Sequence, residues 1–174
     1  MSPFVLTFKI LNDKSTHLVL VPRHPERANW IGSFLKKEDV TFSFLFNGEK
    51  LILNLENEIT IVNEIGHLNY LYSISDLAFI GGTLIEHGGQ NFLEAVQFGL
   101  PIFSGPNTYN FKEISEDLQS LQILNIIDSI EDLALEWGEF SHDSQIKELS
   151  QNYLSSRQGA VQRSVEKLVV LVKD

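Results

Sequence analysis

Cysteine is absent from all 174 residues, which excludes a disulfide framework and thiolate chemistry and makes the reducing cytosol the expected compartment. Cations are scarce: 13 Lys and Arg stand against 23 Asp and Glu, a formal charge of −10. That excess opposes non-specific binding to nucleic acid or to an anionic membrane face, so any phosphate must be met by local groups. No apolar run approaches the roughly 20 residues that a bilayer span needs. Met1 to Leu11 lacks the charged start and small-residue cleavage site of a signal peptide. Internal repeats and low-complexity tracts are missing as well. The five His and the carboxylates show no tight ligand spacing, so no metal is expected. What remains is a chain 43% hydrophobic, of a size to form one domain over 1–174 around a substantial core.

The apolar pattern alternates between short runs and helical stretches. Thr16 to Val21 reads as a buried strand ended by Pro22, followed by a helix from Glu26 to Lys37 with Trp30, Phe34 and Ile31 inward. Val40 to Phe46 and Leu51 to Leu55 flank Asn47-Gly48-Glu49, which fits either a hairpin or a strand followed by an irregular insertion. Glu58 to Val62, Leu77 to Ile80, Leu100 to Ser104 and Ile123 to Ile127 are further strands. Helices are predicted over Leu68 to Ser73, from the second Gly pair to Phe98, from Asn110, over Ser129 to Gly138, and from Asp143 onward with a break at Gly159. Asn110 with Glu113 resembles a capping box, Asn replacing Ser or Thr. Strands alternating with helices imply an α/β fold, a Rossmann-like parallel sheet with helices on both faces.

The chemistry gathers where strands end, which is where open α/β sheets bind ligands. Pro22-Arg23-His24-Pro25 follows the first strand, and the planar, permanently charged Arg23 is the natural phosphate partner there. Gly66, beside His67, sits at another strand-to-helix junction, where a backbone can approach a ligand closely. The central stretch runs from Asp76 to Glu94, with Gly81-Gly82 ending a strand and Gly88-Gly89 opening a helical pattern. Such a junction presents unpaired N–H groups and the positive end of a helix to an anion. Asn91 and Glu94, three apart, are neighbours on that helix. The amide can donate to a phosphate and the carboxylate can accept from a ribose hydroxyl pair, which suits a nucleotide or nucleotide-sugar. The plainer alternatives stay open: the glycines serve only as turns, Glu94 only favours the helix end, His24 and His67 fill space, and Asn107 and Asn110 are turn and cap residues. The loops are expected to line one rim.

Four motifs, in order and at matching spacing, carry a resemblance. Pro22-Arg23-His24-Pro25-Glu26-Arg27, Leu71 to Gly82, Gly88-Gly89-Gln90-Asn91-Phe92-Leu93-Glu94 and Gly105-Pro106-Asn107-Thr108-Tyr109-Asn110-Phe111 are similar to elements of the bacterial 3-deoxy-D-manno-octulosonic acid (Kdo) transferases. The likeness runs from about Leu18 to the C-terminus, where Gln158-Gly159-Ala160 also resembles a family element. These enzymes move Kdo from CMP-Kdo to the lipid A precursor in lipopolysaccharide synthesis.

The resemblance implies the C-terminal, donor-binding half of a two-domain GT-B glycosyltransferase. On that reading the membrane anchor, acceptor-binding domain and catalytic carboxylate belong to a first half outside these residues. The full enzyme would work at the cytoplasmic face of the inner membrane, this part alone would transfer nothing, and no cofactor beyond the donor is expected. Carried over by position, the CMP contacts fall on Pro22 and Arg23, on Ile65, Gly66 and His67, and on Asn91, Phe92, Leu93 and Glu94. The chain departs from the family pattern at His67, where a Glu is usual, at Gln90 and Phe92, in place of His and Pro, and at Asn107, in place of another His. A UDP-sugar-binding half of another GT-B enzyme and a non-catalytic sugar-nucleotide domain are the two alternative readings.

Overall fold

A computed structural model describes residues 16–47, 50–51, 59–139 and 145–157. The described strands are β1 (Leu18–Leu20), β2 (Phe42–Phe44), β3 (Phe46–Asn47), β4 (Lys50–Leu51), β5 (Ile59–Ile61), β6 (Ala78–Ile80), β7 (Ile102–Ser104) and β8 (Leu124–Ile126). The helices are α1 (Ala28–Lys37), α2 (Leu68–Ser73), α3 (Leu93–Gln97), α4 (Lys112–Ser120), α5 (Ile130–Glu139) and α6 (Gln145–Arg157). Two compact units divide them: the first holds the described residues through Ile74 together with those from Ile127 to the end of α5, the second those from Ser75 to Ile126 together with α6.

In the first unit the parallel order is β1-β5-β2, with Leu20 opposite Ile61 and Ile61 opposite Phe44. Side chains alternate between the faces of a strand, and the core follows that alternation. Leu18, Leu20, Ile59, Ile61, Phe42 and Phe44 pack with Ala28, Ile31 and Leu35 of α1 on one face. On the other, Val19 packs with Leu45, Phe46, Val62 and Leu71 of α2. Helices thus cover both faces of this sheet, as the alternation of strands and helices predicts.

Trp30 corrects the predicted inward face of α1. Ala28, Gly32 and Leu35 are buried, while Trp30 is 71% exposed and stacks on half-buried Phe34 at 6.1 Å. The reason is angular: the row through Ala28, Ile31, Gly32 and Leu35 faces the sheet, and Trp30 lies well round the helix from it. Both readings of the Asn47-Gly48-Glu49 region hold in part. β2 joins the parallel sheet, and β3 and β4 then pair antiparallel, Asn47 opposite Lys50. Residues 1–15, 52–58 and 158–174, including Ile52 to Leu55 and Gln158-Gly159-Ala160, lie outside the described residues.

The second unit holds the parallel order β6-β7-β8, each strand beside the next in sequence. Ile80, Ile102, Phe103 and Leu124 are buried, α4 packs on β8, and α6 packs on α3. Arg157 of α6 pairs with Asp117 and Glu113 of α4 and lies 4.9 Å from the centre of the Tyr153 ring. Burial pushes the Tyr153 phenol above its ordinary pKa, against the lowering effect of that guanidinium.

A capping interaction occurs at Ser129, not at Asn110. The Asp132 N–H donates to Ser129 Oγ at 3.0 Å, and the Ser129 hydroxyl donates to Asp132 Oδ2 at 2.6 Å, closing the first turn of α5. Ser129→Ala should therefore cost about 1 kcal/mol, the usual value for a lost N-cap. A urea midpoint equal to that of the unaltered chain would refute the cap. At α4 no side chain caps the helix, because a 3-10 turn over Tyr109–Phe111 shifts its start past Asn110.

Candidate functional site

The predicted contacts of the first unit leave adjacent strands at the same edge. β1 and β5 run parallel as paired neighbours, so Pro22 and Arg23 after β1 and Ile65, Gly66 and His67 after β5 emerge together at the carboxyl edge of that sheet. Arg23 is exposed, and Pro25–Arg27 form a 3-10 turn in which the Arg27 N–H donates to His24 O at 2.9 Å. His24 Nδ1 stands 3.7 Å from Glu26 Oε1, with both side chains largely exposed.

The loop after β5 is held by a residue that sequence reasoning passed over. Asn63 bonds the backbone of Phe46 from both sides of its amide: Oδ1 accepts from the Phe46 N–H and Nδ2 donates to Phe46 O, each at 3.0 Å. The side chain thus imitates a strand partner. The signal available was an Asn directly after a buried strand, a place where side-chain-to-backbone bonding competes with the ladder. Beyond it Ile65 is 79% exposed, and Gly66 has φ +96°, with no atom within 4 Å of where a Cβ would stand. The His67 ring packs against Phe46 at 4.4 Å, and its carbonyl receives the Leu71 N–H at the start of α2. His67 therefore has a packing role, and the open backbone of this junction is at Gly66.

In the second unit the glycine loop is built around Thr83, another residue that sequence reasoning missed. Thr83 is fully buried in the loop after β6; its hydroxyl donates to Ile80 O at 2.7 Å and accepts from the Gly105 N–H at 2.7 Å. Its carbonyl receives both the Asn107 N–H at 2.9 Å and Asn107 Nδ2 at 3.0 Å. Asn110 Nδ2 donates to His87 O at 3.3 Å, and the Gly89 N–H closes the loop onto Gly82 O at 3.1 Å. Asn107 and Asn110 accordingly fasten the loop after β7 to the loop after β6.

The helix predicted from the second Gly pair starts later, at Leu93. Gly88 and Gly89 are buried with φ +83° and +79°, outside helical geometry, and a Cβ on Gly88 would stand 2.6 Å from Tyr109 Cε2. Turning and close packing account for this pair. The first turn of α3 is set by Asn91, whose Oδ1 accepts the Leu93 N–H at 3.0 Å. Asn91 Nδ2 donates to Glu94 Oε1 at 3.3 Å, so the two residues expected to be neighbours touch. Phe92 is 0% exposed and meets Phe111 edge to face at 5.9 Å, which leaves only its backbone to face a ligand. Asn91 is exposed, and Leu93 and Glu94 are half-buried.

No group of three or more His, Cys, Asp or Glu suited to a metal ion occurs among the described residues, and none of their helices is long and apolar enough to cross a membrane. Two shallow depressions of about 290 Å³ each are lined by neither set of predicted contacts; one borders Lys36 and Phe42, the other Pro106 and Lys112.

Parallel ladders whose carboxyl ends carry glycine-bearing loops define a Rossmann-like α/β protein. The same fold occurs in the crystal structure of the C-terminal CMP-Kdo binding domain of WaaA from Acinetobacter baumannii, with a TM-score of 0.74 at 23% identity over 87% of this chain and 80% of that one. No family model matches the sequence. The 3-deoxy-D-manno-octulosonic acid transferase of Haemophilus influenzae is 36% identical over 156 residues, covering 87% of this chain and 36% of its own length. That of Aquifex aeolicus is 35% identical over 105 residues, 60% of this chain and 28% of its own length. A bifunctional glycosyltransferase/methyltransferase of Fusobacterium nucleatum is 32% identical over 119 residues, 68% of this chain and 19% of its own length. Over the region compared the chain is similar to the Kdo transferases, and it spans about a third or less of the length of these relatives.

Proposed function

We propose that this chain is the donor-binding half of a GT-B glycosyltransferase that transfers Kdo from CMP-Kdo to the lipid A precursor in lipopolysaccharide synthesis. The observation that carries the reading is the Asn91–Glu94 pair at the first turn of α3, in a chain that is similar to Kdo transferases and shares the fold of a CMP-Kdo binding domain. Within the first unit Arg23 is assigned to phosphate and the exposed backbone at Ile65 and Gly66, next to His67, to base or phosphate; within the second, Asn91 is assigned to phosphate and Glu94 to the ribose hydroxyls. Pro22, Phe92 and Leu93 contribute backbone and shape.

The acceptor hydroxyl attacks the anomeric carbon of Kdo as CMP departs. Negative charge gathers on the leaving phosphate, and donors oriented in advance stabilise it more in the transition state than water does. No metal or cofactor is assigned a part. The general base, the acceptor site and the contact with the cytoplasmic face of the inner membrane are assigned to sequence that the relatives carry beyond the region of similarity.

Calorimetric titration of the 174-residue chain with CMP and UMP tests the reading. CMP should bind weakly, on the order of a millimolar dissociation constant or about 4 kcal/mol, and UMP more weakly still. Equal affinity for the two would favour a UDP-sugar enzyme or a less selective nucleotide-binding domain, and no CMP binding at millimolar concentration would defeat the donor assignment.

A further inference from the structure

Between the two ends of the loop that follows β6, a polar patch has no task yet. Gly82, with φ +76°, lies under the His87 ring: a Cβ there would stand 3.3 Å from His87 Cδ2 and 3.9 Å from Gln90 Nε2. Gly81 beside it is exposed, with nothing within 4 Å of its own Cβ position. The backbone beneath these side chains is fixed. The His87 N–H donates to Ile85 O at 2.7 Å, His87 O accepts from Asn110 Nδ2 at 3.3 Å, and Gly89 is tied to Gly82. Neither the His87 imidazole nor the Gln90 amide has a hydrogen-bond partner among the described residues. Two N–H-bearing side chains thus flank a glycine backbone that is open at Gly81, with Gln90 directly preceding Asn91.

The chemistry of the donor indicates what would lie there. In an activated 2-ulosonic acid such as CMP-Kdo, the carboxylate is carried on the same anomeric carbon that bonds the phosphate oxygen. A nucleotide held at Asn91 and Glu94 would therefore bring a carboxylate close to its phosphate, where an aldose nucleotide has only hydrogen. An imidazole ring and a primary amide both carry N–H donors, which suits a carboxylate. Gly81, lacking a side chain, lets the sugar ring approach.

We propose that His87 and Gln90, over the backbone of Gly82 and beside the open Gly81, form the subsite for the carboxylate of the donor sugar and so set the preference for an ulosonic acid. The proposal rests on the donor-binding reading above. Its test compares CMP with freshly prepared CMP-Kdo on the full chain, unaltered and as His87→Ala and Gln90→Ala. The unaltered chain should bind CMP-Kdo about tenfold or more tighter than CMP, the increment expected of one or two charge-assisted hydrogen bonds. Each variant should keep its CMP affinity within about twofold and lose most of that increment. Equal weakening toward both ligands, an increment that neither variant changes, or no increment in the unaltered chain would overturn the subsite while leaving CMP binding in place. Failure to bind CMP at all would instead remove the donor reading and this inference with it.

Discussion

Gly105→Ala should lower the stability of the second unit by about 3 kcal/mol, the upper part of the range for forcing extra volume into a packed interior. Gly105 is buried just after β7, and a Cβ there would stand 2.5 Å from Leu84 N and as close to the Thr83 carbonyl. These neighbours are backbone, so no side chain can swing away to make room. Displacing Gly105 also strains the bond from its N–H to Thr83 Oγ1, and a buried donor left unpaired costs a further 1–3 kcal/mol or so. The measurement is urea denaturation followed by a probe in the second unit. A midpoint within experimental error of the parent would mean that the loops after β6 and β7 are not locked together as described. Because this lock shapes the backbone that leads to Asn91, a partly folded variant should also bind CMP more weakly.

Glu94→Ala carries the other large effect, on binding. If the carboxylate accepts from the ribose hydroxyls, its removal should cost about 1–3 kcal/mol, the range for a hydrogen bond to a charged group, or roughly 5- to 150-fold in affinity. The fold should be little changed. Glu94 is half-buried, its described side-chain bond is the 3.3 Å one from Asn91 Nδ2, and Asn91 Oδ1 would still receive the Leu93 N–H that starts α3. Titration with CMP and with 2′-deoxy-CMP separates the cause. The unaltered chain should prefer the ribonucleotide, and Glu94→Ala should bind both alike. A variant that keeps the preference would place the ribose contact elsewhere.

These effects differ in how early the sequence announces them. The pairing of Asn91 with Glu94 follows from a spacing of three on a helix and is found as expected. Arg23 and Gly66 at strand ends follow equally from where the apolar runs stop. Thr83 and Asn63 were not legible in that way. Each acts through a partner distant in sequence, Gly105 for Thr83 and Phe46 for Asn63, and a polar residue after a strand does not declare which backbone it will meet. The same limit hid the packing role of His67, which depends on Phe46, and the roles of Asn107 and Asn110, which depend on Thr83 and His87.

Local pattern sufficed for the alternation of strands and helices, their parallel pairing and the strand ends at which glycine and charge collect. Apolar periodicity and turn chemistry act between residues close along the chain, and one sequence displays them. Tertiary structure alone decided that Trp30 faces outward, that Gly88 and Gly89 are enclosed while Gly81 stands open, and that Thr83 joins two loops. Whether a glycine is a packing necessity or an approach path for a ligand depends on which atoms lie within about 4 Å of its missing side chain, and those come from parts of the chain far away in sequence.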